Sequence, residues 1–295
     1  MELAPLTKKD LPELAKLMRA ASPDLGYVDE GVLDAKTFQD PDCDIAFLIK
    51  AVEKKATVGA CLGVARKAEK GKAGYVKAVV VAEKLRRQGV GSLMFSELER
   101  RFQKRECREV HVGECPAPYL QTGVDSLDTA TVCFLLKRGY QRLGANVDMT
   151  SQMKDVQIDY SDTDKKVMKD NDLRKATARD SAALQALVQA AFPGWRFEAA
   201  NALEQGTVFV AGTKGKVTAF ACANGTNPGW FGPMGTLESE RGKGLGRLLI
   251  WKCFEVLKKD GYKSVRIPWV GPIPFYSRNV AATLGPLSWH FMKRL

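Results

Sequence analysis

Two short segments of this sequence combine glycines and cations in a way that suits an anionic group. They are Arg86-Arg87-Gln88-Gly89-Val90-Gly91 and Arg241-Gly242-Lys243-Gly244-Leu245-Gly246, the second followed by Arg247. Glycines free the backbone from Cβ clashes, so that successive N–H groups can turn inward. A helix that starts at such a turn adds its unpaired first-turn N–H groups and the positive end of its dipole. The chemistry available is the cradling of a phosphate or pyrophosphate. Neither segment carries the G-x-x-x-x-G-K-[ST] pattern of nucleotide-hydrolysing loops. The glycine spacing and early βαβ position of a dinucleotide fold are also missing.

The elements that must position these turns are legible around them. Met94, Leu98 and Phe102 follow the first turn at helical spacing, and Leu249, Cys253 and Leu257 follow the second. Other features recur in the same order. Thr7 to Asp10 precedes Leu14 and Leu17, and Thr177 to Asp180 precedes Leu184 and Leu187, each an N-cap cluster before an amphipathic helix. Phe134-Leu135-Leu136-Lys137-Arg138-Gly139 matches Phe275-Tyr276-Ser277-Arg278-Asn279-Val280. Such a repeat implies a duplicated domain whose copies differ in loop length.

Strand-like runs are IAFLIKA, GACLGVARK, YVKAVVV and EVHVGE in the first copy, and TVFVAG, KVTAFACANG, WFGPMGTL and SVRIPWV in the second. Each copy reads as helix, strands, Gly-rich turn, helix, strand, helix, strand, which predicts an α/β layered fold with a mixed sheet. Residues 1–153 form the expected first domain and 172–295 the second. The Asp- and Lys-rich stretch 154–171 reads as a linker, although its VQIDY run could pair as an edge strand.

Composition narrows the class. The chain has 295 residues, 45% hydrophobic and 27% charged, and no apolar run approaches the roughly 20 residues of a membrane helix. Glu2 stands where a secretion signal places positive charge, so a cytoplasmic location is expected. Seven cysteines without a CxxC pair and only two histidines predict reduced thiols and no metal site. The net charge of +11 is concentrated in residues 173–295 and is compatible with a phosphorylated cofactor, an anionic surface or nucleic acid. No nucleic-acid motif accompanies it, and neither a nucleic acid nor a membrane is expected as a partner.

Both Gly-rich segments match the [RQ]-x-x-G-x-[GA] motif of the GCN5-related N-acetyltransferase (GNAT) superfamily, which the chain resembles over nearly its whole length. The resemblance implies two tandem acyl-CoA N-acyltransferase domains. It implies that the backbone of Arg241, Gly242, Lys243, Gly244, Leu245 and Gly246, with Arg247 beside it, binds the pyrophosphate of acetyl-CoA. Arg86, Arg87, Gln88, Gly89, Val90 and Gly91 form a possible second cofactor loop. Met234, Gly235, Thr236 and Leu237 fall on the strand that pairs with pantetheine in the family. Tyr276 matches the family's tyrosine at the start of the next helix. A phenol near the sulfur can supply the proton that a thiolate leaving group needs. The matching Leu135 cannot, so catalysis is expected in the second domain alone.

An acceptor amine must be neutral to attack, which makes Glu238 and Glu240 candidate bases, although both also suit a solvated turn. Trp230, Phe231 and Trp269 could line an acceptor pocket or the core. The tandem layout resembles bacterial glucosamine/glucosaminide N-acetyltransferases and the acetyltransferase that completes mycothiol. The WFGPMGT, WVGP and FY segments are more similar to the first. A small-molecule amine such as glucosamine is the acceptor this implies, with Asp125 and Asp128 as possible contacts or plain turn formers. A non-catalytic acyl-CoA sensor and a mycothiol-synthase-like enzyme stay open as alternatives. A tRNA-dependent aminoacyl transferase would need a long helical insertion that no segment here supplies.

Overall fold

The paired Thr–Asp clusters act as their spacing predicts. The N–H and hydroxyl of Thr7 donate to the Asp10 carboxylate at 2.7 and 2.8 Å, and those of Thr177 to Asp180 at 2.8 and 3.1 Å. Each closes a capping box on a short turn that runs into the first helix of its copy. Asp180 also receives a fork of two hydrogen bonds from Arg174, which holds its carboxyl well below the usual range.

The structure is a computed structural model and describes residues 1–69, 71–213 and 215–295. The chain runs β1 (Glu2–Pro5), α1 (Leu11–Ala21), α2 (Glu30–Lys36), β2 (Leu48–Glu53), β3 (Ala56–Ala68), β4 (Gly71–Val81), α3 (Val90–Lys104), β5 (Cys107–Val112), β6 (Val124–Asp125), α4 (Thr129–Lys137) and β7 (Gln141–Gln152). It continues through α5 (Asp162–Asp170), β8 (Arg174–Lys175), α6 (Ser181–Ala191), α7 (Arg196–Gln205), β9 (Thr207–Thr213), β10 (Lys216–Ala223), β11 (Phe231–Thr236), α8 (Leu245–Lys259), β12 (Ser264–Ile267), α9 (Ile273–Val280) and β13 (Thr283–Arg294). No described helix is long and apolar enough to cross a membrane. Two compact units result. One comprises Met1–Asn146 with Pro286–Leu295, the other Val147–Gly285.

In the first unit β1, β2, β3 and β4 pair antiparallel in chain order, and β5 joins β4 in parallel. The helix α3 buries Val90, Met94, Phe95, Leu98 and Phe102 on one face, the stripe that its sequence spacing demanded. Each such side chain contributes roughly 1.5–3 kcal/mol when fully buried. Phe102 lies over Gly74 of β4, where a Cβ would meet the ring at 2.6 Å. The strand following β5 in the sheet is β13, the last of the chain, with Phe291 opposite Val112 and Arg294 opposite Glu109.

The second unit has an antiparallel sheet β8-β9-β10-β11. Beside it, β12 pairs antiparallel with Met149–Gln152 at the end of β7. The helix α8 buries Leu245, Leu248, Leu249, Ile250, Trp251, Cys253, Phe254 and Leu257, wider coverage than α3 achieves.

The reason lies in residues 154–171, expected as a linker. They are a packed part of this unit. Val156, Ile158, Tyr160, Val167 and Met168 join the core around α8, and the Tyr160 ring meets Trp251 edge-on at 5.4 Å. VQIDY forms no strand. Ser161 starts α5 through a capping box with Asp164. The expected domain limits differ from the observed units at both ends. Residues 147–153 fold with the second unit, and 286–295 with the first. The physical reason is strand exchange: each copy's last strands are completed by chain from the other copy's sequence.

Candidate functional site

In the second unit β11 hydrogen-bonds to β10, with Ala221 opposite Met234, Phe220 opposite Gly235 and Ala219 opposite Thr236. Its other edge meets β12 at a single parallel bridge, Trp230 to Arg266. Beyond that bridge, among the described residues, β11 pairs on one edge only. The strands part, and main-chain groups of Met234 to Leu237 border the opening. The first unit repeats this, since β4 and β5 pair from Lys72–Val76 and then diverge.

A short turn over Glu238–Glu240 carries β11 into the Gly-rich loop, and Gly244 caps the N-terminus of α8. Gly242 and Gly244 have φ of 80° and 82°, and a Cβ at either would meet nothing within 4 Å. No side chain caps the first turn of α8. The loop therefore presents open space beside uncapped helix N–H groups, and its geometry fits a pyrophosphate.

The three cations are less free than the sequence suggested. Arg241 turns its Nε back to the Thr236 carbonyl at 3.4 Å, bracing the end of β11. Lys243 pairs with Glu240 at 2.8 Å, and Arg247 with Asp164 of α5 while lying over the Trp251 ring at 4.6 Å. Charge on this loop is thus partly neutralised, and the main chain is left as its principal anion-binding feature.

The first-unit loop has the same backbone. Arg87 (φ 63°) stands where Gly242 does, and Gly89 (φ 87°) where Gly244 does. Arg86 Nε reaches the Val81 carbonyl at 3.1 Å, the counterpart of the Arg241 contact. Val90 is buried in the core and Gln88 bonds back to the Lys84 carbonyl at 2.9 Å.

Tyr276 lies in the first turn of α9, buried, with its ring edge-on to Phe275 at 5.2 Å and Phe231 at 6.2 Å. Its hydroxyl makes no hydrogen bond among the described residues. Burial alone pushes the phenol up to about 12, so it keeps its proton at neutral pH. Leu135, its match in α4, is fully buried apolar packing.

The remaining expected residues divide. Trp230 and Phe231 are core, at 3% and 1% exposure, whereas Trp269 is exposed. Glu240 is taken by Lys243, and Glu238 lies exposed in the turn leading to the loop. Asp125 accepts from the Leu127 N–H at 2.7 Å and Asp128 caps α4 through Thr131 N–H at 3.0 Å. Both are turn and cap formers of the first unit. Sequence reading missed Asp148 and Arg266, an ion pair of a buried carboxylate with a half-buried guanidinium in the second unit, and Phe192, whose ring lies 2.7 Å from a Cβ built at Gly235. Only the isolated charge of Asp148 among strand residues could have signalled the first.

The chain belongs to the Acetyltransferase (GNAT) family, whose model matches residues 12–118 and 178–281. The family consists of acyltransferases that use acyl-CoA. No curated protein matches the sequence. Among solved structures, the glucosamine N-acetyltransferase region of a fungal multi-domain GH3 beta-N-acetylglucosaminidase superposes with a TM-score of 0.75 at 16% identity. It covers 99% of this chain and 38% of that one, so this chain spans well under half of it. A tandem GNAT protein from the clavulanic acid biosynthesis pathway gives 0.70 at 13% identity, covering 99% of this chain and 98% of that one. Saccharomyces cerevisiae N-myristoyltransferase with bound myristoyl-CoA gives 0.65 at 12% identity, with coverage of 99% and 77%. At these identities the likeness is one of fold.

Proposed function

We propose that the chain is an acetyl-CoA-dependent N-acetyltransferase acting on the primary amine of a small molecule, with chemistry confined to the second unit and an amino sugar such as glucosamine as acceptor. The observation that carries this is the contrast at one position of the repeat. Tyr276 carries a protonated phenol, without a hydrogen bond among the described residues and edge-on to Phe231 at the start of β11, at the position where the first unit has Leu135.

When bound, acetyl-CoA supplies an activated acetyl thioester. The main chain from Arg241 to Gly246 and the α8 N-terminus hold its pyrophosphate, and the edge of β11 from Met234 to Leu237 lines up its extended arm. The same edge offers N–H groups to the oxygen that becomes negative during attack. Tyr276 holds a proton for the departing sulfur. Glucosamine is favoured by the resemblance in the WFGPMGT, WVGP and FY segments, and the fungal structural neighbour is a glucosamine N-acetyltransferase region. The first unit acts as scaffold.

The test is release of free thiol from acetyl-CoA in the presence of glucosamine, other primary amines, or none. Turnover with at least one amine is expected. Tight CoA binding without turnover on any amine contradicts the proposal and favours a sensor.

A further inference from the structure

Gly235 stands within the stretch of β11 that takes the extended arm, and the volume its missing side chain would fill is already occupied. A Cβ there would meet the Phe192 ring at 2.7 Å. Phe192 caps the C-terminal end of α6. Its N–H donates to the Val188 carbonyl at 2.8 Å, and its own carbonyl accepts from the Trp195 N–H at 2.9 Å across Pro193 and Gly194. That short turn stacks the two rings, with centroids 5.2 Å apart and planes 14° from parallel. Both meet Phe220 edge-on, at 5.9 and 6.5 Å. Phe220 is fully buried and lies opposite Gly235 in the sheet. Phe192 is thus pinned between the bare strand and two other rings, and the three make one rigid wall on the α6 face of β11.

The first unit has the same turn and a different wall. Counting from Thr7 and Thr177, Ser22 matches Phe192 and Leu25 matches Trp195; counting from Arg86 and Arg241, Val80 matches Gly235. The Ser22 N–H donates to the Met18 carbonyl at 3.3 Å and the Leu25 N–H to the Ser22 carbonyl at 3.1 Å, so the backbone is shared. There Leu25 and Val80 are both buried in one apolar core. Ordinary core filling is met by a side chain on the strand itself. In the second unit a glycine bares the strand, and an aromatic from α6 covers it. The opposite face of β11 is filled as well, since Met234 and Phe275 pack on the core around α8, and a Cβ at Gly246 would meet them at 3.6 and 3.5 Å.

We propose that Phe192, backed by Trp195 and Phe220, sets the length of the acyl chain that the second unit accepts: an acetyl thioester fits on β11 beside Gly235, and a longer acyl tail collides with the ring. This rests on the acetyl-transfer reading for where the thioester lies. The transfer itself is unaltered. The thioester C–S bond breaks, a C–N bond forms to the amine, and the proton the amine loses is balanced by one gained at the sulfur. A glycine strand without the ring would leave a groove in which every buried methylene of a tail gains affinity. The wall removes that gain, so selectivity comes from a clash with the wrong acyl group.

The test is calorimetric titration of the full chain with CoA, acetyl-CoA, butanoyl-CoA and hexanoyl-CoA. The unsubstituted protein should bind hexanoyl-CoA about tenfold or more weakly than acetyl-CoA. Phe192→Ala should narrow that ratio by about tenfold. Phe192→Leu, which keeps more of the packing, should admit butanoyl-CoA before hexanoyl-CoA. Trp195→Ala, a change at a residue 38% exposed, should narrow the ratio in part by removing the backing ring. CoA carries no acyl group, so its retention by a variant reports an intact cofactor site. Hexanoyl-CoA bound as tightly as acetyl-CoA by the unsubstituted protein overturns the proposal, as does a ratio untouched by Phe192→Ala and Phe192→Leu in chains that still bind CoA. The affinities need no turnover. Absence of thiol release with every acyl-CoA and amine would contradict the acetyl-transfer reading and leave the ratio to be judged on its own.

Discussion

Gly246 lies against the ring of Phe275: a Cβ there would stand 3.5 Å from Phe275 Cζ, and a Cβ at Gly91 would stand 3.7 Å from Phe134 Cε2. The last glycine of each loop thus touches the same aromatic of a later helix in both copies. That contact aligns Phe134 with Phe275, and hence Leu135 with Tyr276, whatever the loops between them do. The asymmetry between the two units is therefore a difference of side chain at one spatial position.

The loops yield the first prediction. Gly244→Glu and Gly89→Glu both place a side chain in open space at positive φ, so their cost to the fold should be similar, about 1–2 kcal/mol. Only Gly244→Glu sets a carboxylate where pyrophosphate is received in the active unit. Acetyl-CoA binding by calorimetry and thiol release should fall by about tenfold or more for Gly244→Glu and stay within about twofold for Gly89→Glu. Equal loss in both would mean that the first loop takes part in the reaction.

A second prediction follows from the exchanged strand. Phe291 is fully buried in the core that contains α3 and β5, so Phe291→Ala should cost about 3–5 kcal/mol. Although the residue is near the C-terminus, hydrogen exchange should place the loss in β5 and α3 of the first unit. Loss confined to α8 and β11 would contradict the strand assignment.

Both histidines of the chain approach one carboxylate, which gives a pH prediction. His111 Nδ1 is 2.6 Å from Glu114 Oε1, and His290 Nδ1 is 3.4 Å from Glu114 Oε2. Burial opposes charge on His111, but hydrogen bonds to Glu114 and Glu109 outweigh it and raise its pKa. The hydrogen bond from His111 chiefly, with that from His290, lowers Glu114 to about 2. The raised histidine contributes stability below its unfolded value that is lost as pH rises through the folded one. The depressed carboxylate contributes above its unfolded value and loses it as pH falls towards about 2. Stability of the first unit should therefore decline as pH rises above the free imidazole's 6.5 and through the raised value of His111, and Glu114→Gln should flatten that decline. Denaturation midpoints across this range, with the two imidazole NMR titrations, check it.

Much of this was legible in the sequence, and the remainder was hidden for physical reasons. The two glycine turns and the helices after them follow from local spacing, because backbone geometry at a turn is decided by the residues in it, whereas Tyr276 is picked out by the family resemblance and its match to Leu135 by the repeat. The home of β13 does not, since the alternation in Thr283–Arg294 says which faces are buried and not which sheet supplies the partner. The same limit hid the partners of the cations. Arg247 reads as a free charge beside the loop until α5 brings Asp164 to it, and Arg266 reads as a strand arginine until β7 delivers Asp148. Residues 154–171 looked like a linker because their apolar side chains are sparse; α8 needs only those few to cover its outer face.

Replacement of Tyr276 by Phe tests the central claim most directly, because it removes one oxygen that has no hydrogen-bond partner among the described residues. With the amine that supports turnover, the account predicts a fall in kcat of about 10- to 100-fold, with acetyl-CoA affinity within about twofold of the unsubstituted protein. An unchanged kcat, or a loss wholly accounted for by weaker acetyl-CoA binding, would contradict it.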